Sequence, residues 1–182
     1  MAVYINTVAG EPDYGSLPAA KIIDYPLEKR DYRPFAQVQL ALGAHALFAR
    51  LISFEARPDP ASRLMLLFAF PAGRAGLSVT ADGELQTLPP TLDIQKRETA
   101  GEDLQGIFWG AECVLPRAEL ERLAGRALAP GDMLYGNVFK TSGGGAMPPH
   151  FGCLYPSKPV YTLQELSALE AEDLGPFQVT GY

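Results

Sequence analysis

The chain has 182 residues, a formal net charge of −6 and an isoelectric point near 4.9. A chain of this length fits one domain and buries about 70% of its unfolded surface without disulfides or metal ions. The acidic balance and the lack of any run of Lys and Arg argue against a nucleic-acid partner and against a membrane surface. The 16 Pro and 18 Gly residues are spread along the sequence, which indicates many turns between short strands.

The first half of the chain is predicted to form a series of short strands. Residues 37–42 alternate polar and apolar side chains, which is typical of a half-buried strand. The unbroken apolar run Leu64–Phe70 indicates a strand buried on both faces. Asp82-Gly83 between two strand-like runs predicts a hairpin. The predicted strands are Val3–Ile5, Ile22–Tyr25, Gln37–Leu42, Ala46–Phe54, Leu64–Phe70, Leu77–Thr80 and Leu85–Leu88.

The second half is predicted to contain further strands and two short helices. The polar segment 97–104 is predicted to be a loop before a strand over Gly106–Leu115. A helix is expected from Pro116 to Gly125, because Pro suits the first turn and Gly suits the C-terminal cap. Further strands are predicted at Met133–Lys140, Phe151–Tyr155 and Phe177–Val179, with a second short helix opened by a capping box at Thr162–Glu165 and ending at Leu169.

These elements predict one all-β domain over residues 1–182, an antiparallel β-sandwich of jelly-roll or immunoglobulin-like type with one or two short helices. Cys113 and Cys153 lack metal-binding spacing and are predicted to be buried free thiols. Trp109 alternates with apolar residues and is predicted to lie in the core. The N-terminus lacks the pattern of a signal peptide, which predicts a cytoplasmic protein, although a trimmed secreted chain would look the same.

The second half also carries a distinctive order of motifs. A strand with Trp109 and Glu112 ends at Pro116, Pro130-Gly131-Asp132 precedes Gly136-Asn137-Val138-Phe139-Lys140, and Pro149-His150-Phe151 precedes Tyr155-Pro156. This order resembles the family 9-like carbohydrate-binding modules. The first half is similar to the same family in Tyr32-Arg33-Pro34, in Phe54-Glu55 with Pro58 following, and in the hairpin Gly76–Leu85. The resemblance implies a β-sandwich, a saccharide partner and, as in some relatives, calcium, for which no ligands can be assigned in this sequence.

One position departs from the family pattern. Leu154 stands where the family has Trp after the Pro-His motif. Sugar sites use flat aromatic faces because the C–H face of a pyranose packs on them. Two functions therefore stay open: a non-catalytic module that binds a saccharide or a similar small polar ligand, and a structural or protein-interaction domain that has lost the sugar site.

The polar residues of these motifs are the candidates for a binding site. Asn137 offers a donor and an acceptor, Lys140 offers donors, and His150 offers one of each. The structural alternative is that Asn137 satisfies a buried turn, Lys140 is solvated and His150 holds a loop. We predict no cofactor, no catalytic residue and the following ligand-binding residues: Asn137, Lys140, His150, Tyr155, Glu55 and Arg57.

Two further functions would need a pair of catalytic carboxylates or a haem site. Glu55 and Glu112 lie in apolar strands, where ion pairs with Arg50, Arg57 or Lys140 are expected, because burial disfavours an unpaired carboxylate. If the two carboxylates instead faced each other across a cleft, glycoside hydrolysis would be feasible. Haem binding would need a Met–His or bis-His ligand pair, for which the sequence offers His45, His150 and four Met residues. We predict that the protein is not an enzyme.

Overall fold

A computed structural model describes residues 1–31, 35–145 and 148–181, so the Tyr32-Arg33-Pro34 motif lies outside the described residues. In chain order the strands are β1 (Val3–Thr7), β2 (Ala20–Ile22), β3 (Ala36–Leu42), β4 (Ala46–Ser53), β5 (Arg63–Phe70), β6 (Gly73–Thr80), β7 (Leu85–Leu88), β8 (Gln95–Asp103), β9 (Gly106–Pro116), β10 (Met133–Ser142), β11 (His150–Cys153) and β12 (Gly175–Thr180). Helix α1 (Arg117–Ala124) follows β9, and two 3₁₀ helices, Gln164–Ala168 and Ala171–Asp173, precede β12.

The strands form one mixed sheet in the order β7-β6-β5-β10-β12-β1-β3-β4-β9-β8. In addition, β11 pairs with β10, and β2 pairs with β3. The prediction of an all-β fold is confirmed. The prediction of a purely antiparallel sheet is wrong, because β1 pairs in parallel with both β12 and β3. The jelly-roll or immunoglobulin-like arrangement stays a prediction.

Two halves of this sheet face each other across the main core. The inward side chains include Leu64, Leu66, Phe68 and Leu77 from one half and Val38, Leu40, Leu51, Trp109 and Ala111 from the other. The core position predicted for Trp109 is confirmed, since its side chain is almost fully covered. The ends of the sheet approach each other where Lys96 Nζ donates a hydrogen bond to the Gly83 carbonyl. The sheet therefore nearly closes on itself.

A second apolar cluster covers the outer face of β5 and β10. It is formed by Met65, Leu67, Phe139, Phe151, Cys153, Val160, Leu163, Leu166 and Leu169. The segment 156–174 supplies the covering layer. The prediction that the apolar run of β5 is buried on both faces is confirmed, because residues 64–68 alternate between the two clusters and have no exposed surface.

Three local predictions are wrong, and each has a physical reason. The predicted loop at 97–104 lies largely in β8, an edge strand that is mostly exposed and needs no apolar face. Strand β3 is buried on both faces rather than one, because the Gln39 amide nitrogen donates to the carbonyl oxygens of Tyr14 (2.6 Å) and Leu17 (2.9 Å) and holds the loop before β2 over it. The helix predicted from the Thr162–Glu165 capping box through Leu169 is a short 3₁₀ helix over Gln164–Ala168, and a second one, Ala171–Asp173, follows it.

Most other local predictions agree with the structure, although β2 covers Ala20–Ile22 and shares only Ile22 with the strand predicted over Ile22–Tyr25. Helix α1 ends at Gly125, whose φ of 70° is the left-handed conformation of a C-terminal cap. Leu120 and Leu123 are its buried residues. Cys113 and Cys153 are buried and free, as predicted. No helix among the described residues is long and apolar enough to cross a membrane.

Candidate functional site

The six predicted site residues lie in three separate places. Glu55, Lys140 and His150 meet on the inner face of β10, between the two halves of the sheet. Asn137 and Tyr155 meet on the opposite side of β10. Arg57 is exposed in the loop that follows β4. Whether any of them binds a ligand stays a prediction.

Lys140 is at the centre of a buried ion cluster, which we define as Glu55, Ser62, Trp109, Lys140 and His150. Its ammonium nitrogen lies 3.2 Å from Glu55 Oε2. It donates hydrogen bonds to Ser62 Oγ at 3.1 Å and to His150 Nε2 at 2.7 Å. No part of Lys140 is exposed. The expectation of an ion pair for Glu55 is therefore confirmed, and the alternative of a solvated Lys140 is wrong.

The rest of the ion cluster holds the Glu55 carboxylate in place. The indole nitrogen of Trp109 donates to Glu55 Oε2 at 3.1 Å, and Ser62 Oγ donates to Glu55 Oε1 at 3.3 Å. The Lys140 ammonium also lies 5.8 Å from the centroid of the Trp109 ring, within the range of a cation–π contact. No member is more than 8% exposed. Through Glu55, the cluster connects the chain after β4 with β9, β10 and β11.

Burial shapes the protonation of this cluster. It lowers the pKa of Lys140 to about 8, against the opposing attraction of Glu55. Burial, and secondly the Lys140 charge, lower the pKa of His150 to about 4. At neutral pH His150 is therefore uncharged, and its Nε2 accepts the hydrogen bond from the Lys140 ammonium.

Asn137 fixes the chain after β11 to the sheet. Its Nδ2 donates to the carbonyl oxygens of Asp173 (2.7 Å) and Tyr155 (3.0 Å). Its Oδ1 accepts from the backbone N–H groups of Val138 (2.8 Å) and Tyr155 (3.1 Å). The Tyr155 hydroxyl donates to the Pro176 carbonyl at 2.6 Å. Both side chains thus bind backbone at the two ends of the segment 156–174.

Glu112 lies apart from Glu55 on the outer face of β9. Its carboxylate pairs with Arg97 and lies 3.6 Å from Arg50 Nε, which confirms the expected ion pair with Arg50. Glu55 instead contacts Trp109, whose side chain points into the core. The two carboxylates therefore do not face each other across a cleft as an acid/base pair would.

The structure also bears on metal and haem ligands. Within residues 1–31, 35–145 and 148–181, no three His, Cys, Asp or Glu side chains are grouped so that they could hold a metal ion. No calcium ligand set can be assigned among these side chains. His45 is exposed, whereas His150 is enclosed in the ion cluster, so the two do not form an axial pair. The prediction of no cofactor, with calcium left open by the family resemblance, stays untested.

A cleft that the sequence analysis did not find opens where strands of the sheet diverge. β1 pairs with β3 at Asn6 and Thr7, while β2 occupies the other end of the β3 edge. On the other side of the opening, β12 and β11 pair with the same edge of β10. β12 pairs with the start of β10 and β11 with its end. Between these pairings lies an opening of about 520 Å³, lined by residues 1–4, residues 18–21, Leu154 and Tyr155. We call this opening the sheet gap.

The walls of the sheet gap are largely apolar and aromatic. Leu154 is half-buried and packs on the main core. The Tyr155 ring meets Phe177 edge to face at 5.7 Å between centroids. Tyr4 is 50% exposed at the rim, and Lys21 brings a cation there. The sequence feature that could have pointed to this cleft is Leu154, because it stands where the family has Trp.

A smaller cavity of about 200 Å³ lies on the outer face of β4, β8 and β9, beside Tyr14. Its walls include Arg97 and Glu112, which already pair with each other. The Tyr14 ring lies 5.6 Å from the Arg50 guanidinium. Burial, and then the Glu112 charge, raise the pKa of Tyr14, so its hydroxyl stays protonated. These charged groups neutralise one another and hold the loop against the sheet.

The chain has the fold of the family 9 carbohydrate-binding modules, which confirms the resemblance seen in the sequence. A family 9 module from Caldicellulosiruptor kristjanssonii in complex with cellotriose matches with a TM-score of 0.67 at 9% identity, over 100% of this chain and 95% of that one. A family 9 module from the same organism in complex with glucose matches with a TM-score of 0.63 at 10% identity, over 98% and 96% of the two chains.

A proposed carbohydrate-binding protein from Bacteroides uniformis ATCC 8492 has the same fold. It matches with a TM-score of 0.69 at 12% identity, over 98% of both chains. No family model and no curated protein matches the chain. At these identities the likeness concerns the fold, over nearly the full length of each chain.

Proposed function

We propose that the chain is a non-catalytic module that binds a saccharide in the sheet gap. The observation that carries the proposal is the place of Leu154, which lines the gap beside Tyr155 and within reach of Tyr4. The gap volume of about 520 Å³ lies in the range of roughly 300–1,000 Å³ that is usual for small-ligand sites. Neighbours of the same fold were solved with cellotriose and with glucose, which supports this ligand class.

The chemistry of the gap suits a neutral sugar. The apolar C–H face of a pyranose packs on aromatic and aliphatic surface such as that of Tyr4, Tyr155 and Leu154. The hydroxyl groups need donors and acceptors, which Lys21 and the backbone at the ends of β1 and β2 can supply. The non-catalytic part of the proposal is supported by Glu55 and Glu112, since each is engaged by a Lys or Arg side chain.

Titration calorimetry with glucose, mannose, galactose, xylose and their β-1,4-linked oligomers tests this function. We expect weak binding by the parent chain, because no tryptophan lines the gap. The Leu154→Trp variant should bind about three- to tenfold more tightly, as one added aromatic contact is worth about 0.5–1.5 kcal/mol. Leu104→Trp is the matched control, since Leu104 is fully exposed on the β8–β9 hairpin, and it should leave the affinity unchanged.

A second variant keeps this test decisive if Leu154→Trp does not fold. Tyr4→Ala removes a half-exposed ring from the rim of the gap and should weaken binding without unfolding the chain. Folding of each variant is checked by its thermal melting curve. The proposal is refuted if the parent chain and the folded variants give no heat with any sugar of the panel at millimolar concentration.

The alternative of a protein-interaction domain is favoured by exposed apolar side chains just after β2. Ile23 and Leu27, near the end of β2, are 66% and 57% exposed, and exposed apolar side chains are common at interfaces. Sedimentation velocity over a concentration series tests association with a second copy of the chain. A concentration-dependent dimer together with no sugar binding would favour the alternative.

A further inference from the structure

We infer that the saccharide is an oligosaccharide that runs from the sheet gap across an exposed tyrosine strip on the outer face of β1, β12 and β10. The tyrosine strip is defined as Tyr4, Met133, Tyr135, Pro176 and Gln178. The inference rests on the proposed function, because it extends the same site beyond the gap. It concerns the length of the ligand and a second set of contacts.

The strand register places the strip residues side by side on one face. Tyr4 pairs with Gln178, and Gln178 pairs with Met133, so these side chains form a row across three strands. Tyr135 pairs with Pro176, two residues along the strands, and belongs to the next row. The alternate residues Ile5, Leu134, Phe177 and Val179 point into the main core. The strip therefore faces outward.

The strip is left uncovered by the rest of the fold. Tyr4, Met133 and Tyr135 are 50%, 38% and 53% exposed. Farther along β10, on the same face, the segment 156–174 covers Phe139 in the second apolar cluster. The covering layer therefore protects one end of this face and leaves the tyrosine end open. Exposed apolar patches of this kind commonly mark binding surfaces.

The chemistry of the strip matches a neutral glycan. It carries two tyrosine rings, a thioether and a proline ring, with the Gln178 amide between them as both donor and acceptor. None of its five side chains is charged, so neither a nucleic acid nor an acidic peptide finds a counter-charge on it. Rings alternating with hydrogen-bonding groups suit successive sugar units, each with an apolar face and a rim of hydroxyls.

The strip is continuous with the sheet gap. Tyr4 belongs to both, because residues 1–4 line the gap. Tyr135 lies two strands and two residues from Tyr4, a Cα separation of roughly 12 Å for standard strand spacing and rise. That span is longer than one sugar ring. A ligand that reaches Tyr135 from the gap must therefore have several units.

A chain-length series on the intact protein tests the inference. Calorimetry is run with glucose, cellobiose, cellotriose and cellotetraose on the parent chain and on Tyr135→Ala. We expect affinity to rise about three- to tenfold from glucose to the longer oligomers, the gain of one aromatic contact. Tyr135→Ala should remove this gain and leave glucose affinity unchanged. Ile107→Ala, at a 48% exposed strand residue outside the strip, should change neither.

The possible failures are distinguishable. If glucose binds but longer oligomers bind no better, or if Tyr135→Ala retains their gain, the strip takes no part and the inference is overturned while the proposed function stands. If no sugar binds to any variant, the proposed function fails and the inference fails with it. Self-association of the parent chain that Tyr135→Ala abolishes would assign the strip to a second copy and would also overturn the inference.

Discussion

Lys140 has no exposed surface, yet its ammonium group is charged at neutral pH, with the Glu55 carboxylate 3.2 Å away. Replacing it by Met leaves Glu55 buried without its cation. We expect Lys140→Met to lower the free energy of unfolding by about 3–5 kcal/mol, the usual cost of breaking a buried ion pair. Urea denaturation measures this change.

A double mutant separates the pair from the packing around it. In Lys140→Met/Glu55→Gln both charges are gone, so the loss of stability should be clearly smaller than the sum of the two single losses. Lys29→Met removes an exposed lysine and serves as the control, with a change near zero. Equal urea midpoints for Lys140→Met and the parent chain would contradict the role of the ion cluster.

His150 makes stability depend on pH. Its pKa is about 4 in the folded chain and 6.5 ordinarily, so between these values the unfolded chain binds the extra proton. The free energy of unfolding therefore falls as the pH drops from 6.5 to 4, by up to roughly 3 kcal/mol. Urea denaturation at intervals across this range measures the slope. His150→Gln should flatten it, whereas His45→Gln, at an exposed site, should not.

The sequence identifies the polar residues of the family motifs, but it does not predict whether they are buried or what they contact. Lys140 and His150 are ten positions apart, and alternation along one strand cannot tell whether a lysine faces water or a second sheet half. The register of β10 with β5 and β11 decides that question. Sequence reasoning therefore found three members of the ion cluster and named them as ligand contacts, a role that stays a prediction.

At the scale of elements, the sequence predicts apolar strands well. It predicts the polar edge strand β8 and the pairing of the N-terminal strand β1 poorly. The run of β5 and the hairpin between β6 and β7 carry local signals and were correctly predicted. β8 is an edge strand that carries charges on both faces, and such a polar pattern predicts a loop. The parallel pairing of β1 depends on a partner that lies far away in sequence, and no periodicity reports it.

The close packing of β9 against β4 gives a test at this scale. A Cβ atom on Gly110 would lie 2.0 Å from the Leu51 carbonyl oxygen and 2.8 Å from the Ile52 Cα. These are backbone atoms, so the strands themselves must separate to admit Gly110→Ala. We expect a loss of roughly 1–3 kcal/mol in the free energy of unfolding. Calorimetric melting measures it.

The matched control for that substitution is Gly143→Ala. Gly143 is exposed, and nothing would lie within 4 Å of an added Cβ atom. The melting temperature of this variant should equal that of the parent chain or exceed it slightly. If Gly110→Ala melts at the same temperature as Gly143→Ala, β4 and β9 are less closely packed than the structure indicates.

At the scale of the whole molecule, strand composition predicted the fold class but not how the sheet is joined. The halves meet through β1, with β12 on one side and β3 on the other. Across the sheet gap, the bridge between Asp24 and Cys153 links them again. The gap exists because these two junctions are separate. No local pattern along the chain describes it, which is why the sequence analysis placed the candidate site on motif residues instead.

The pairing of β1 with β12 also governs how the chain is made. During synthesis, β1 cannot complete its pairing until β12, which follows every other strand described here, has been translated. Until residues 175–180 emerge, the edge of β1 and one end of β10 present unpaired backbone groups to other nascent chains. Premature termination before β12 therefore yields an open-edged, aggregation-prone product rather than a slightly shorter module.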